Sequence, residues 1–283
     1  MPKRLRQLLS GKIPSGDLAQ ICNSYDIVGD IAIIRLIAGS EKHCSLVAKA
    51  IMGFHTNVKT VLGQVGAVQG DFRLRELRHI AGQKKTTVSY RESGCVFSVD
   101  VEQCYFSPRL GNERMRIARQ VGSGEVVVNM FAGVGCFSIL IAKHSEAEKV
   151  YSIDVNPTAV QYMQENVRLN GAYGKVIPVL GDAKDVIEKR LCHVANRVLM
   201  PLPEKALEYL PSALLALTRR RGWIHYYDFE HAARGVDAVQ RVRMRVSEKL
   251  ENLGIAADVA LGRVVRSTGP HWYQVALDIA VRQ

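Results

Sequence analysis

An apolar run, Val126-Val127-Val128, feeds through Asn129-Met130-Phe131-Ala132 into Gly133-Val134-Gly135, and a helical pattern, Cys136-Phe137-Ser138-Ile139, follows at once. This is the strand–loop–helix opening of a nucleotide-binding α/β unit. Glycine lets the backbone pass close beneath a ligand and take angles that side chains resist. The helix that follows presents its N-terminal amides to the same point. Gly-x-Gly alone marks many ordinary turns. The constraint comes from Ile153-Asp154-Val155-Asn156-Pro157. It places an acid at the end of the next strand, about 20 residues on, where it can accept ribose hydroxyls.

The segments around this pair alternate in the same way. Strands are predicted at Val126–Met130, Lys149–Ile153, Lys175–Leu180, Arg197–Met200 and Gly222–Tyr227. Helices are predicted over Phe137–His144, from Asn156-Pro157 to Asn170, over Glu204–Thr218, and as a long basic helix over Gly235–Leu253. Asp258–Arg266 and Trp272–Val281 read as a closing antiparallel pair. Such alternation implies a mostly parallel, doubly wound sheet with helices on both faces, a Rossmann-like α/β fold. Ligands of these sheets sit at the carboxyl ends of the strands. Asn129, Asp154, Asp182 and Pro201-Leu202-Pro203 all fall there.

The first half reads differently. Asp26–Ile34 is two short strands about Gly29-Asp30, Ser45–Met52 is helical, and Val58–Leu62 is a strand. Thr86–Tyr90 and Cys95–Asp100 alternate on either side of Arg91-Glu92-Ser93-Gly94. This predicts a smaller α+β module with a largely antiparallel sheet over residues 1–104, before an α/β domain over 105–283. Arg73, Arg75, Arg78, Lys84, Lys85 and Arg91 lie close together in it. They are either a solvated face or a surface that grips phosphates, since arginine forks match phosphate geometry.

The net charge of +11 poses the same alternative for the whole chain: a polyanionic partner, or charge kept for solubility. No apolar run approaches the ~20 residues of a membrane span. The basic start, Met1–Arg6, is broken by Gly11–Asp17 before any signal core, which points to a cytoplasmic protein. The six cysteines form no Cys-x-x-Cys pair, so no metal site is expected.

The glycine loop lacks the third glycine of a dinucleotide fingerprint; Ser138 stands there. No arginine follows Asp154 to take a phosphate. Acids after the second and third strands suit a ligand with a ribose and an adenine but no pyrophosphate. S-adenosylmethionine fits that description. Just upstream, Pro108 suits a first helical turn capped by Ser107. A helix from there sets Arg109 and Glu113 four apart on one face. They are then an i,i+4 salt bridge or, because this helix feeds the glycine-loop strand, groups at the ligand mouth.

Tyr-Phe-Ser-Pro-Arg-Leu-x-x-Glu-Arg (Tyr105–Arg114), Met-Phe-Ala-Gly-Val-Gly (Met130–Gly135), Ile-Asp-x-Asn-Pro (Ile153–Pro157) and Ile-His-Tyr-Tyr (Ile224–Tyr227) together resemble the archaeal and eukaryotic tRNA guanine-N1 methyltransferases. That family acts on the guanosine 3′ to the anticodon. The resemblance spans roughly residues 55–283, with Arg91-Glu92-x-Gly94-Cys95 and Arg266-Ser267 also matching. It implies a class I methyltransferase domain, S-adenosylmethionine as cofactor and tRNA as partner; a monomer is expected. Glu113 then resembles the base that takes the guanine N1 proton. Arg109 positions that base or stabilises charge on the guanine, and Arg73 contacts the guanine O6. Asp154 binds the cofactor ribose and Asp182 the adenine amino group. Phe131, Gly133, Gly135, Val155 and Pro201 border the cofactor. Asn129 replaces an acid usual in the family, which is expected to alter a contact near the cofactor's methionine. Pro201-Leu202-Pro203 replaces an Asn-Leu-Pro, removing an amide near the target base and leaving C-methylation of a tricyclic wyosine intermediate open. The first 54 residues are expected to be too few for an additional tRNA-elbow module. Two further classes remain open: aminocarboxypropyl transfer on the same nucleotide, against which Arg109, Glu113 and Arg114 argue, and a non-catalytic RNA-binding protein.

Overall fold

The computed structural model describes residues 5–22, 24–36 and 41–282. Met1–Arg4, the basic start of the chain, lies outside them. Contacts divide the chain into two compact units, residues 1–109 and 110–283.

In the first unit, α1 (Leu5–Leu9) and α2 (Ser15–Gln20) precede β1 (Tyr25–Val28), β2 (Ile31–Arg35), α3 (Cys44–Phe54), β3 (Thr60–Gln64) and β4 (Leu77–Gly82). The sheet order is β1-β2-β3-β4. β2 and β3 run parallel because α3 returns the chain between them, and the other two pairings are antiparallel. Leu5, Leu9, Ala48, Ile51 and Val61 pack its core. The expected hairpin is β5 (Thr87–Glu92) with β6 (Cys95–Asp100). β4 has no counterpart in the sequence reading. Its burial does not alternate, so no period-2 signal marks it.

The second unit opens with α4 (Gly111–Ala118) and β7 (Val126–Asn129), then α5 (Cys136–His144), β8 (Lys149–Asp154), α6 (Pro157–Leu169) and β9 (Val176–Leu180). There follow α7 (Ala183–Arg190), β10 (Arg197–Met200), α8 (Ala206–Ala216), β11 (Gly222–His231), α9 (Ala238–Asn252), β12 (Ala257–Gly269) and β13 (Trp272–Val281). The seven-stranded sheet runs β12-β13-β11-β10-β7-β8-β9. β11, β10, β7, β8 and β9 are parallel; β13 is antiparallel to both its neighbours. The chain starts at β7, winds outward to β9, crosses back to β10 and closes with the β12–β13 pair. The reversal at β7/β10 is the switch point where such sheets bind ligands. Val128, Met130, Val198, Ile224 and Leu277 fill the core beneath it.

The division falls after Arg109 rather than after Cys104. Tyr105–Arg109 stay with the first unit because Arg73 lies over the Tyr105 ring, Arg75 donates to the Phe106 carbonyl and Arg109 pairs with Asp26. Pro108–Leu110 is a short 3₁₀ turn, so α4 begins at Gly111 without the expected Ser107 cap. The Asn156 cap is as expected: its side chain accepts from Thr158 and Ala159 N–H.

Candidate active site

The glycine loop and the acid one strand later are joined directly. Asp154 Oδ2 accepts the Gly133 N–H at 2.6 Å and Oδ1 accepts the Asn156 N–H at 2.9 Å. Burial pushes the Asp154 carboxyl up from the usual carboxylate range, against the pull of the Asn156, Gly133 and Val155 amides. Gly133 and Gly135 take φ of +55° and +91°. A Cβ at Gly135 would sit 2.9 Å from Met163 Cγ, so neither the angle nor the space admits a side chain.

Val155, next to Asp154, is 43% exposed, a partly uncovered apolar surface at a strand's carboxyl end. Asp182 caps α7, accepting the Lys184 N–H at 2.8 Å, while its Oδ2 accepts the Tyr209 hydroxyl at 2.6 Å. The Tyr209 ring meets Phe131 edge-on at 5.1 Å. Phe131, Asp182 and, through Gly133, Asp154 therefore line one edge of the sheet, and Pro201 follows β10 on the same edge. Residues 129–135 and 154–157 contain no lysine or arginine. Two carboxylates, an apolar surface and a loop without fixed cations fit S-adenosylmethionine, whose ribose, adenine and sulfonium need acceptors rather than phosphate-binding cations.

Asn129 is fully buried. Its Nδ2 donates to Ser138 Oγ at 3.1 Å, and the Ser152 hydroxyl donates to the same oxygen at 2.7 Å. Its Oδ1 accepts the Phe131 N–H at 3.4 Å. The side chain ties β7 to α5 and β8 in the interior.

Glu113 lies on α4 and is 3% exposed. Arg116, one turn on, grips it with a fork: Nη2 to Oε1 at 2.7 Å and Nε to Oε2 at 3.0 Å. The Tyr227 hydroxyl donates to Oε1 at 2.8 Å. Burial holds that phenol well above its ordinary range, so it stays a donor. Four in-plane positions are open on a carboxylate. Three are filled by these bonds, which leaves one on Oε2; Arg263 Nη1 lies 3.7 Å from that oxygen, beyond hydrogen-bond distance.

Arg116 also grips Asp278 through Nη1 and Nη2. His225 Nδ1 lies 2.7 Å from Asp278 Oδ1, and its Nε2 lies 2.7 Å from Arg197 Nη1. Arg197 can only donate, so the imidazole is neutral and its Nδ1–H donates to Asp278. Burial depresses the His225 pKa, in agreement. Asp278 is held below the usual carboxylate range by His225 and Arg116, which outweigh its burial. The Ile-His-Tyr-Tyr motif thus sends His225 and Tyr227 to one face of β11. Tyr226 and Asp228 bond to each other on the other face, and Arg245 of α9 meets Asp228 there.

Within the first unit Arg109 Nε pairs with Asp26 at 2.6 Å, and within the second Glu113 takes Arg116. Within the first unit Asp26 also attracts Arg75 at 3.8 Å. The Arg73 guanidinium lies 4.2 Å from the centre of the Tyr105 ring, and its φ is +54°. Arg73 is thus held at Tyr105, and Arg109 at Asp26 beside Arg75. Arg116, Tyr209, Tyr227, Arg263 and Asp278 escaped the sequence reading. The i,i+3 spacing of Glu113 and Arg116 and the position of Tyr227 in its motif were the available signals.

Residues 87–255 match the TRM5/TYW2 methyltransferase domain and residues 5–86 the TYW2 N-terminal domain. Among curated proteins the chain is 40% identical to tRNA (guanine(37)-N(1))-methyltransferase Trm5b of Pyrococcus abyssi, over 91% of this chain and 74% of that one. It is 37% identical to tRNA 4-demethylwyosine(37)-methyltransferase Taw21 of Saccharolobus solfataricus, over 93% and 95%. Among solved structures, the complex of aTrm5 with tRNALeu superposes with a TM-score of 0.84 at 34% identity, covering 99% of this chain and 78% of that one. Methanocaldococcus jannaschii TYW2 in complex with AdoMet gives 0.69 at 28% identity, covering 92% and 100%. The chain belongs to the TRM5/TYW2 methyltransferase family.

Proposed function

We propose that this protein transfers the methyl group of S-adenosylmethionine to N1 of the guanosine at position 37 of tRNA, 3′ to the anticodon, with Glu113 as the general base. The observation that carries the reading is the state of Glu113: a buried carboxylate locked in place by Arg116 and Tyr227, with one acceptor position left on Oε2. Family membership and the relatives' names supply the substrate class.

S-adenosylmethionine supplies an electrophilic methyl group on a sulfonium. Asp154 would accept the ribose hydroxyls, Asp182 the adenine amino group, and Val155 and Phe131 would border the adenine. Gly133 and Gly135 keep the loop free of side chains, and Pro201 closes the edge after β10. Guanine N1 is protonated at neutral pH and is a poor nucleophile. Glu113 Oε2 would accept its proton, freeing the N1 electron pair for the methyl carbon that bound S-adenosylmethionine would present, while the carbon–sulfur bond breaks and its electrons return to sulfur as a neutral thioether. Negative charge then grows on O6, where an arginine stabilises it. Arg109 and Arg73 are the arginines assigned to the guanine. No acid or base other than Glu113 is needed, and the enzyme acts as a monomer.

A second reading is favoured by Pro201, which leaves the loop after β10 without an amide side chain, and by the identity with the Taw21 relative. In it, the target is the tricyclic 4-demethylwyosine, methylated at the same tRNA position. Both are tested by methyl transfer from labelled cofactor to three tRNAs: guanosine at 37, adenosine at 37, and the tricyclic base at 37. Label on the guanosine tRNA alone, or on it and the tricyclic tRNA, is the expected result. Label on the tricyclic tRNA alone replaces the first reading by the second. Equal label on the adenosine and guanosine tRNAs overturns both.

A further inference from the structure

The parallel strands of the second unit do not end together. β10 stops at Met200, in register with Tyr226, but β11 continues to His231. Five further residues at about 3.3 Å each carry it some 16 Å past the edge where the cofactor residues lie. β13 pairs with it along the whole way, from Trp272 opposite His231. β12 flanks β13 up to Gly269. The result is a three-stranded wall rising from the carboxyl edge of the sheet.

Its tip is aromatic and cationic. Trp272 is 47% exposed, and its ring lies 5.2 Å from that of His231. His271, in the turn with φ of +59°, meets His231 edge-on at 6.3 Å. Both histidines are exposed. Residues 229–241 and 264–275 carry Arg234, Arg241 and Arg266 against two carboxylates, Glu230 and Asp237. Glu230 is buried and bound to Arg241 and Arg245, and Asp237 caps α9. The tip therefore presents exposed rings in a positive field, with no free acid to repel a polyanion.

An exposed tryptophan beside cations matches the composition of surfaces that hold single-stranded nucleic acid: the ring stacks on a base and the cations meet the phosphates. Glycine at 269 and the left-handed turn at His271 fix the ring at the end of a paired strand rather than on a loose loop. We propose that Trp272, with His231 and His271, is a stacking platform for an unpaired base of the RNA that carries the target nucleotide, and that Arg234 meets its backbone. This rests on the RNA-substrate reading above and extends it to a surface that the family resemblance did not assign.

The test is quenching of tryptophan fluorescence by a single-stranded RNA heptamer and by tRNA, alongside steady-state methyl transfer. The wild-type protein should be quenched by both, and Trp272→Phe should lose that quenching. Stacking of one base is worth ~1–3 kcal/mol, so Trp272→Ala should raise KM for tRNA about tenfold with kcat nearly unchanged, and Trp272→Phe should restore most of it. Arg234→Ala should lower the slope of log affinity against log salt by about one phosphate contact. An unchanged KM in Trp272→Ala overturns the platform. Loss of kcat at saturating tRNA also overturns it, since a remote stacking site cannot set the chemical step. If the wild-type protein methylates no tRNA, the substrate reading fails while quenching by the heptamer still decides the platform.

Discussion

Replacing Arg116 by methionine should be the most damaging conservative-volume change in the second unit. Arg116 is a cation shared by two buried carboxylates: Glu113 and Asp278 have side-chain exposures of 2% and 4%. Removing one partner of a buried ion pair costs about 3–5 kcal/mol, because the charge left behind is desolvated and unpaired. Here two charges are left. Part of the loss is met by groups that stay: the Tyr227 hydroxyl and, at 3.7 Å, the Arg263 guanidinium on Glu113, and His225 and Gln120 on Asp278. Methionine fills most of the space, so the cavity term is small. The net expectation is a loss of about 4 kcal/mol, or about 10 °C in Tm for a domain of this size. Arg116→Lys keeps the charge but not the fork, and should lose roughly half as much. Adding Asp278→Asn to Arg116→Met should recover at least about 1 kcal/mol, since contacting groups couple by that order. Urea unfolding followed by circular dichroism measures all three. A loss under about 1 kcal/mol in Arg116→Met, or strict additivity of the double variant, would refute the reasoning.

Asp154→Asn should weaken S-adenosylmethionine binding by roughly 10–100-fold, the worth of a hydrogen bond to a charged acceptor, as read by calorimetry; unchanged affinity would remove Asp154 from the site. Because burial raises the Asp154 pKa, cofactor affinity of the wild-type protein should fall on acidification at a pH above the ordinary carboxylate range. His225 is neutral in the fold because burial lowers its pKa, whereas the unfolded chain takes up that proton below about pH 6.5. Stability should therefore rise with pH through the window below 6.5 and then level, and His225→Gln should flatten that rise. Asp278 has a lowered pKa, so its contribution is complete above about pH 4 and is lost as pH falls through its folded value. Gly135→Ala should cost about 1–2 kcal/mol in stability from the left-handed angle alone, more with the Met163 clash, and should reduce cofactor affinity; a neutral effect on both would contradict the loop geometry.

Much of the second unit was legible because its punctuation is local. Asn156-Pro157 caps and starts α6, and Gly133 and Gly135 mark the turn out of β7. The helix α7 is not legible because its one signal, Asp182, also fits a ligand residue at a strand end. In the structure the same carboxylate caps the helix and accepts from Tyr209. The outer half of β11 was also missed. Asp228 and Glu230 look like loop residues until the arginines of α9 are brought against them. Spacing alone set Arg109 beside Glu113. The chosen partners, Asp26 for Arg109 and Tyr227 for Glu113, lie 83 and 114 residues away, beyond any local pattern. The roles of the site residues came from motif resemblance, while the acceptor geometry of Glu113 came only from the fold.

The central claim is that Glu113 removes the N1 proton. Its most direct test is the single-turnover rate of 1-methylguanosine formation at position 37, identified by nucleoside mass spectrometry, in the wild-type protein and Glu113→Gln. Loss of a positioned general base costs ~10²–10⁴ in rate, so the variant should form the product at least about a hundredfold more slowly, with cofactor affinity unchanged. A variant that makes 1-methylguanosine within a few fold of the wild-type rate would contradict the account.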